Sequence, residues 1–382
     1  MPLILPKEEL CSWIRLSLEP GLGPAQARHL LAALGLPHDI YAMPAAALAR
    51  IVPGPLAQQL RQPASDTVQD TISQTLAWLD NPRHHLLTLA DPAYPRALLD
   101  IHDPPLLLYV NGDPAFLSRP SIAIVGARSA SAGGMDNARA FARHLAQAGW
   151  CVASGLALGI DTAAHEGALQ AGPDAGGTLA IMGTGIDIVY PARNRDLAHQ
   201  IAAQGALVSE FPLGTRAIPY QFPKRNRLVA GLARGVLVVE AAKQSGSLIT
   251  ARLASETGRE VFAIPGSIHS PLSRGCHALI RQGAKLVESA QDIDEELGRP
   301  GQASSSAAAQ GKPAPPPPDH DPTAQHILDA MGFDPIDLDT LQRRTGLDLP
   351  LLNSRLLGLE LSEAVARQDD GRFMRRQPQH SR

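Results

Sequence analysis

The middle of this chain contains six short, almost wholly apolar runs, and longer amphipathic stretches separate them. The runs occupy residues 122–125, 150–153, 178–182, 206–208, 236–239 and 261–264. Continuous apolarity, rather than alternation, is typical of strands that are buried on both faces, as in a parallel sheet. Between the first two runs, Ala138, Phe141 and Leu145 recur at helical spacing and Gly149 provides a stop. This alternation predicts a doubly wound, mainly parallel α/β sheet over residues 119–297.

The sequence changes character on either side of this region. Residues 1–62 carry helical patterning punctuated by Gly and Pro, which predicts a small helical domain. Residues 63–118 are Pro-rich and predict a bridging segment with short strands. Residues 298–322 are rich in Ser, Ala and Pro, cannot bury a core and predict a disordered linker. Residues 323–382 carry three helical patterns and a hairpin signal at Asp369-Asp370-Gly371, which together predict a winged helix.

Composition and charge exclude several classes of protein. The net charge of the 382 residues is −3, so a nucleic-acid site would have to be a local basic groove. Cys11, Cys151 and Cys276 lack metal-ligand spacing, which predicts reduced thiols, no disulfide framework and no metal site. The first residues lack a signal-peptide pattern, and no apolar run reaches the ~20 residues that span a bilayer. We therefore expect a cytoplasmic protein that makes no contact with a membrane.

Loops rich in Gly, Ser and Thr follow four of the predicted strands. In an open parallel sheet such loops gather at the carboxyl edge, where ligands bind. Small residues let backbone N–H groups approach an anion, and helix N-termini favour negative charge. A tight strand-to-helix turn explains any single loop equally well, but four loops at one edge favour phosphate binding. Their candidate binding residues are Gly126, Arg128, Ser129, Ser154, Gly155, Ser245, Gly246 and Ser247.

A basic cluster lies at the head of a predicted helix after residue 220. Lys224, Arg225, Asn226 and Arg227 follow Phe222 closely. Cations at a helix N-terminus oppose the helix dipole, so the arrangement favours an anionic ligand. Phosphate neutralisation by Lys and Arg, with base stacking on an aromatic ring, is typical of single-stranded nucleic-acid binding. The alternative is a solvated, charged helix end.

The sequence lacks the usual signatures of enzymes. It has no P-loop, no GxSxG elbow, no HExxH motif and no complete GxGxxG fingerprint, so ATP and NAD chemistry are not expected. Asp161 and Asp187 could serve as catalytic carboxylates, but Asp161 stands where a helix N-cap belongs. His165 fits a packed or exposed helix residue better than a general base. We therefore predict no catalytic residues and no cofactor.

Several blocks of this sequence, in order and over about 170 residues, resemble the DNA-processing protein A (DprA/Smf) family. The resemblance implies a Rossmann-like domain between an N-terminal SAM-like domain and a C-terminal winged helix. The matching blocks are Gly126-x-Arg128, Ser154-Gly155-Leu156-Ala157-x-Gly159-Ile160-Asp161, Gly183-Thr184-Gly185-Ile186-Asp187 with Tyr190-Pro191, Ser209-Glu210-Phe211-Pro212, Phe222-Pro223-Lys224-Arg225-Asn226-Arg227, Ser245-Gly246-Ser247-Leu248-Ile249-Thr250 and Pro265-Gly266.

The resemblance also implies a function without catalysis. The protein would bind single-stranded DNA during natural transformation, protect it, and load the RecA recombinase onto it. It would form a homodimer through the Rossmann-like domain, and we expect the dimer face within the apolar region 261–286. Arg128 and Lys224 would contact DNA phosphates, the Gly/Ser loops would line the same groove, and Phe222 would stack on a base.

The chain departs from the family pattern at two positions, and two other functions remain open. Ala132-Gly133-Gly134 stands where many relatives carry an aromatic residue before the glycine, and His277 stands where they carry Asn. One alternative is a nucleotide phosphoribohydrolase on a related fold, using Glu240 and Glu256, although the chain lacks that group's Pro-Gly-Gly-x-Gly-Thr block. The other is a transcription regulator whose winged helix, after residue 323, binds duplex DNA.

Overall fold

The N-terminal part of the chain is helical. The computed structural model describes residues 5–300, 322–332, 335–362, 364–368 and 371–376. Trp13, Ile14 and Leu30 are fully buried at the centre of the helical part, which also packs on Leu106 and Leu107. Its helices are α1 (Lys7–Leu18), α2 (Pro24–Leu34), α3 (Pro37–Ala42), α4 (Ala45–Leu48), α5 (Gly54–Leu60) and α6 (Asp66–Trp78).

One nine-stranded sheet forms the centre of the molecule, in the order β1-β2-β6-β5-β4-β3-β7-β8-β9. The seven strands from β3 to β9 are parallel to one another, which confirms the predicted doubly wound sheet. The six apolar runs form β3 to β8. The strands are β1 (His84–Thr88), β2 (Leu107–Gly112), β3 (Ser121–Val125), β4 (Cys151–Ser154), β5 (Thr178–Ile181), β6 (Ala206–Ser209), β7 (Gly235–Val238), β8 (Glu260–Ala263) and β9 (Lys285–Leu286).

Helices cover both faces of this sheet, as continuous apolarity of the strands requires. α7, α8 and α13 pack on one face around Trp150 and Phe262, whereas α10, α11 and α12 pack on the other. The chain order reverses between β3 and β7, which makes the crevice beyond these two strands the expected ligand site. The helices are α7 (Ala132–Gln147), α8 (Ile160–Gln170), α9 (Arg195–Gln204), α10 (Gln221–Leu232), α11 (Ser247–Glu256), α12 (Arg274–Arg281) and α13 (Ala290–Leu297).

The segment predicted to bridge two domains belongs to the sheet. β2 pairs antiparallel with β6, and β1 pairs antiparallel with β2, so the predicted boundary at 119 cuts through the sheet. β2 joins the sheet because five of its six residues are buried. Their backbone N–H and C=O groups therefore need a hydrogen-bonded strand on each side.

The C-terminal part has the predicted winged-helix elements. A buried core that includes Ile327, Leu341, Leu352 and Phe373 joins three helices to an antiparallel hairpin. The hairpin turn at 369–370 and residues 301–321, most of the predicted linker, lie outside the described residues. The elements are α14 (Pro322–Met331), α15 (Leu338–Thr345), α16 (Leu349–Leu361), β10 (Val365–Arg367) and β11 (Phe373–Arg375).

The described ranges contain neither a membrane-spanning helix nor a cluster of metal ligands. None of the described helices is both long enough and apolar enough to cross a bilayer. No group of three or more His, Cys, Asp or Glu side chains in the described part of the chain could hold a metal ion.

Candidate nucleic-acid interface

The loop after β3 is fixed at the switch point of the sheet. Gly126 is confined, since a Cβ there would lie 2.6 Å from Ile160 Cγ1 and 2.9 Å from the Glu240 carbonyl oxygen. The Ala127 N–H donates to the Glu240 carbonyl at 2.8 Å, and the Ala127 carbonyl accepts from the Ile160 N–H at 3.2 Å. The next residues, Arg128 and Ser129, are exposed. A solvent-facing cation therefore stands on a backbone with little freedom to move.

Glu240, at the end of β7, holds the start of α7. Its carboxylate accepts from the Ser131 N–H at 2.9 Å and from the Ser131 hydroxyl at 2.5 Å. The same hydroxyl oxygen accepts from the Gly134 N–H at 3.0 Å, so Ser131 caps the helix. A Cβ at Gly134 would overlap the Glu240 carboxylate. The carboxylate is thus fully engaged in positioning the loop that carries Arg128.

The loop after β4 lies beneath the surface. The Ser154 hydroxyl is fully buried and donates to the Ile124 carbonyl at 2.7 Å. Gly155 lies against the Arg225 guanidinium, leaving no room for a Cβ. Asp161 is not the N-cap, a position that Gly159 takes. The Asp161 carboxylate instead accepts from the N–H groups of Gly155 at 3.1 Å and Ala157 at 3.3 Å, because the loop turns back over the first turn of α8.

The predicted basic cluster divides between the interior and the surface. Arg225 is only 4% exposed and donates to the Ile181 carbonyl beside Asp161. Burial lowers the pKa of Arg225 to about 10, so the guanidinium stays charged at neutral pH. Arg227 is also buried and forms ion pairs with Glu210 and with Asp103. Helical geometry turns these two side chains inward, and of the three cations only Lys224 faces solvent.

An aromatic surface connects the Arg128 loop to α10. The Arg128 guanidinium lies 5.7 Å from the Phe222 ring centre, and the Tyr190 ring lies 5.5 Å from the Phe222 ring. Gly183 makes room for Phe222, since a Cβ there would lie 2.8 Å from the ring. Tyr190 is 50% exposed, so a flat ring is available to solvent beside a cation. Base stacking with phosphate neutralisation needs this combination.

The loop before α11 meets the same end of α10. The Asn226 amide donates to the Gly246 carbonyl at 3.3 Å, and the Ser245 and Ser247 hydroxyls are 2.7 Å apart. Gly246 is exposed, whereas Ser247 is buried. The structure therefore links the solvent-facing candidates into one surface, which we call the Arg128–Gly246 surface. Its members are Arg128, Ser129, Tyr190, Phe222, Lys224, Asn226, Ser245 and Gly246.

Two residues that define this surface are not among the predicted binding residues. Tyr190 belongs to one of the family motifs, and an aromatic residue near a basic cluster is the signal that could identify it. Glu240 is predicted only as a catalytic carboxylate of the alternative hydrolase, whereas in the structure it positions the loop that carries Arg128. His165 was predicted to be a helix residue rather than a base, and it is fully buried, with Nδ1 2.8 Å from the Thr178 hydroxyl. Burial lowers the pKa of His165 to about 3.

A second concave surface, of about 570 Å³, lies beyond β8 and β9. Lys243, Arg274, His277 and Arg281 line it together with apolar residues that include Leu286. His277 Nε2 lies 2.9 Å from the Gly266 carbonyl oxygen, so this ring joins α12 to the loop after β8.

Comparison with protein families gives two matches along the chain. The family DNA recombination-mediator protein A matches residues 85–298, and the DprA winged helix domain matches residues 311–371. Protein Smf of Escherichia coli is 40% identical over 313 residues, which cover 82% of this chain and 83% of that protein. DNA processing protein DprA of Streptococcus pneumoniae is 47% identical over 210 residues, which cover 55% of this chain and 73% of that protein.

Solved structures of similar proteins share this architecture. The X-ray structure of DprA from Streptococcus pneumoniae superposes with a TM-score of 0.65 at 36% identity, covering 77% of this chain and 99% of the other. DprA from Helicobacter pylori, whose structure concerns its single-stranded DNA binding mode, gives a TM-score of 0.51 at 31% identity, covering 56% and 95%. With the sheet, the winged helix and these matches in agreement, the chain belongs to the DNA recombination-mediator protein A family, DprA/Smf.

Proposed function

We propose that this protein binds single-stranded DNA on the Arg128–Gly246 surface, in the cytoplasm, during natural transformation. The observation that carries the proposal is the exposed Arg128 guanidinium beside the Phe222 and Tyr190 rings at the switch point of the sheet. Phosphates would be neutralised by Arg128 and Lys224, and bases would stack on the rings. The relative from Helicobacter pylori, described with a single-stranded DNA binding mode, supports the same ligand class.

The proposal extends to protection of incoming DNA and to loading of RecA onto it. Binding through phosphates and stacked bases is sequence-tolerant, which suits a protein that must accept any incoming strand. It also extends to a homodimer whose face lies within residues 261–286. Ile268 is 74% exposed and Leu286 borders the concave surface, so this region has apolar area that a second copy could cover.

The phosphoribohydrolase alternative is weakened by the positions of its two carboxylates. Glu240 lies two residues after β7, at the carboxyl edge of the sheet, and is engaged by Ser131, whereas Glu256 is the last residue of α11 and pairs with Arg252. Because α11 is ten residues and about 15 Å long and runs back across the sheet, its last turn lies toward the opposite edge from Glu240, which argues against one shared site. We therefore propose a binding protein that carries out no catalysis and needs no cofactor.

The regulator alternative is weakened by the surface of α16. A helix that reads duplex DNA needs cations toward the phosphates. The outer side of α16 carries Arg355, but it also exposes Leu357 and, at 79%, Leu361. We therefore place the main DNA affinity on the Rossmann-like domain.

One set of measurements separates the three functions. Fluorescence anisotropy with labelled oligo-dT and with a duplex of the same length measures strand preference, and incubation with nucleoside monophosphates measures hydrolysis. The proposal expects tighter binding of oligo-dT and no release of base. Preference for duplex would favour the regulator, and released base would favour the hydrolase. Addition of RecA to the oligo-dT complex then tests whether recombinase filaments form faster with the protein than without it.

A further inference from the structure

The hairpin of the winged helix presents two different faces. Successive side chains of a strand alternate, so Phe373 and Arg375 share one face and Arg372, Met374 and Arg376 share the other. Phe373 packs in the winged-helix core, and Arg375 lies 3.9 Å from Asp329 of α14. The first face therefore belongs to the winged helix itself. The second face points away from the winged-helix core.

That second face contacts α7 of the Rossmann-like domain. A Cβ at Gly133 would lie 2.6 Å from Met374 Cε, and Arg376 Nε lies 3.4 Å from Asp136 Oδ2. An alanine at position 133 would need only a small shift of the flexible Met374 methyl group. A leucine would have to displace the whole Met374 side chain. Gly133 thus provides a notch that the chain's own hairpin fills.

The two contacts give the hairpin a direction. From Arg376 to Met374 the strand moves about 6.6 Å, while its partners on α7 move from Asp136 to Gly133, about 4.5 Å toward the helix N-terminus. The next residue on this face is Arg372. Continued along the same line, the strand carries Arg372 toward the N-terminal end of α7, the end that follows the loop of Arg128 and Ser129. Arg372 is exposed.

We propose that Arg372 of the winged helix supplies a further phosphate contact to single-stranded DNA as the strand leaves the Arg128–Gly246 surface past Ser129. The inference rests on the proposed function, because it extends the same site. The winged helix is then a part of the single-strand interface that is held in place by the Gly133 notch and the Asp136–Arg376 ion pair.

Arg367 offers a matched control on the same hairpin. It is exposed, like Arg372, but it pairs with Phe373 across the hairpin and its guanidinium lies 5.5 Å from that ring, on the face turned away from α7. Replacing either arginine removes one positive charge from the same small element. Only the loss of Arg372 removes the proposed contact.

The test measures affinity against salt for the full chain, with a short oligo-dT that fills only the Arg128–Gly246 surface and a longer one that extends beyond it. Arg372→Ala should flatten the slope of log affinity against log salt by about 0.7 for the longer oligonucleotide and leave the short one unchanged. Arg367→Ala should change neither slope. Equal losses from both substitutions, or no loss from Arg372→Ala, would overturn the inference.

The notch is tested separately with Gly133→Leu and its control Gly133→Ala. Leucine favours a helix more than glycine does, so α7 should remain intact by circular dichroism. Gly133→Leu should reproduce the Arg372→Ala loss, Gly133→Ala should not, and Gly133→Leu/Arg372→Ala should lose no more than either alone. Additive losses would show that docking and Arg372 are independent. A wild type that bound neither oligonucleotide would contradict the proposed function itself. If the wild type binds both, but the predicted change in slope is absent with the longer oligonucleotide, only the role of the winged helix is contradicted.

Discussion

Glu240 and Ser131, which are 109 positions apart in the sequence, are joined by two hydrogen bonds to one carboxylate. The contact joins the two loops at the switch point of the sheet, because Glu240 follows β7 and Ser131, which follows β3, caps α7. Arg128 lies on the short loop between the end of β3 and this cap. The orientation of the proposed phosphate ligand therefore depends on a carboxylate that itself never needs to touch DNA.

Glu240→Ala should weaken both folding and DNA binding. The substitution leaves the Ser131 N–H and hydroxyl without their acceptor, which costs about 1–3 kcal/mol. Urea unfolding measures the stability loss, and oligo-dT anisotropy at a temperature where the variant stays folded measures the affinity loss. Glu256→Ala removes a carboxylate from an exposed surface pair and should change neither quantity. Tighter oligo-dT binding by Glu240→Ala would show that its charge repels DNA rather than positions the loop.

Substitutions of Lys224 and Arg225, which are adjacent in the basic cluster, should differ in their effects on stability and on DNA binding. Arg225→Ala removes a buried cation that donates to the Ile181 carbonyl and interacts electrostatically with the buried Asp161, and it should cost about 3–5 kcal/mol of stability. Lys224 is 44% exposed and lies 3.6 Å from Glu210, which Arg227 still neutralises, so Lys224→Ala should change stability by about 1 kcal/mol at most while weakening DNA binding. Thermal unfolding together with anisotropy distinguishes the two. A folded Arg225→Ala variant of normal stability that loses DNA binding would contradict the inward orientation.

His165 should make the folded state sensitive to mild acid. Its pKa falls from 6.5 to about 3 because burial disfavours the charged ring. The unfolded chain therefore binds the proton first as the pH drops, so stability falls between pH 6.5 and pH 3. At pH 5 this one group costs about 2 kcal/mol. Urea unfolding of wild type and His165→Asn at pH 7 and pH 5 should show a loss smaller by that amount in the variant, and equal losses would contradict a buried neutral ring.

Negative charges placed on the proposed dimer face should prevent dimer formation. Ile268→Asp/Leu286→Asp places two carboxylates on the exposed apolar part of residues 261–286, where a second copy would have to desolvate them. Light scattering at micromolar concentration should shift from dimer to monomer mass, whereas Leu361→Asp, on the winged helix, should leave the mass unchanged. A wild type that is monomeric under these conditions would remove the dimer proposal and leave the DNA proposal standing.

The sequence predicted the parallel sheet because strands buried on both faces must be continuously apolar, as β3 to β8 are. It did not show that β1 and β2 extend the sheet, since His84-His85 in β1 and Asn111 in β2 break that apolar pattern. The sequence also placed Lys224, Arg225 and Arg227 together. It did not show that Arg225 and Arg227 point inward, because their orientation depends on how α10 packs against β5 and Glu210. The contact between Gly133 and Met374 spans 241 positions and has no local signature.

On the proposed function, Arg128 and Lys224 neutralise DNA phosphates on one surface. Each phosphate contact on a single strand contributes about −0.7 to the slope of log affinity against log salt, so removing two should flatten the slope by about 1.4. A mixed-sequence oligonucleotide and oligo-dT should respond alike, because phosphate contacts carry no sequence information.

The measurement is a salt series for the wild type, for Arg128→Ala/Lys224→Ala and for the control Arg143→Ala/Arg252→Ala, which removes two exposed cations from the outer parts of α7 and α11. Circular dichroism establishes that all three are folded. We expect a flatter slope and weaker binding for the first variant and a control indistinguishable from the wild type. An unchanged slope and affinity in a folded Arg128→Ala/Lys224→Ala protein would show that these two residues do not neutralise DNA phosphates.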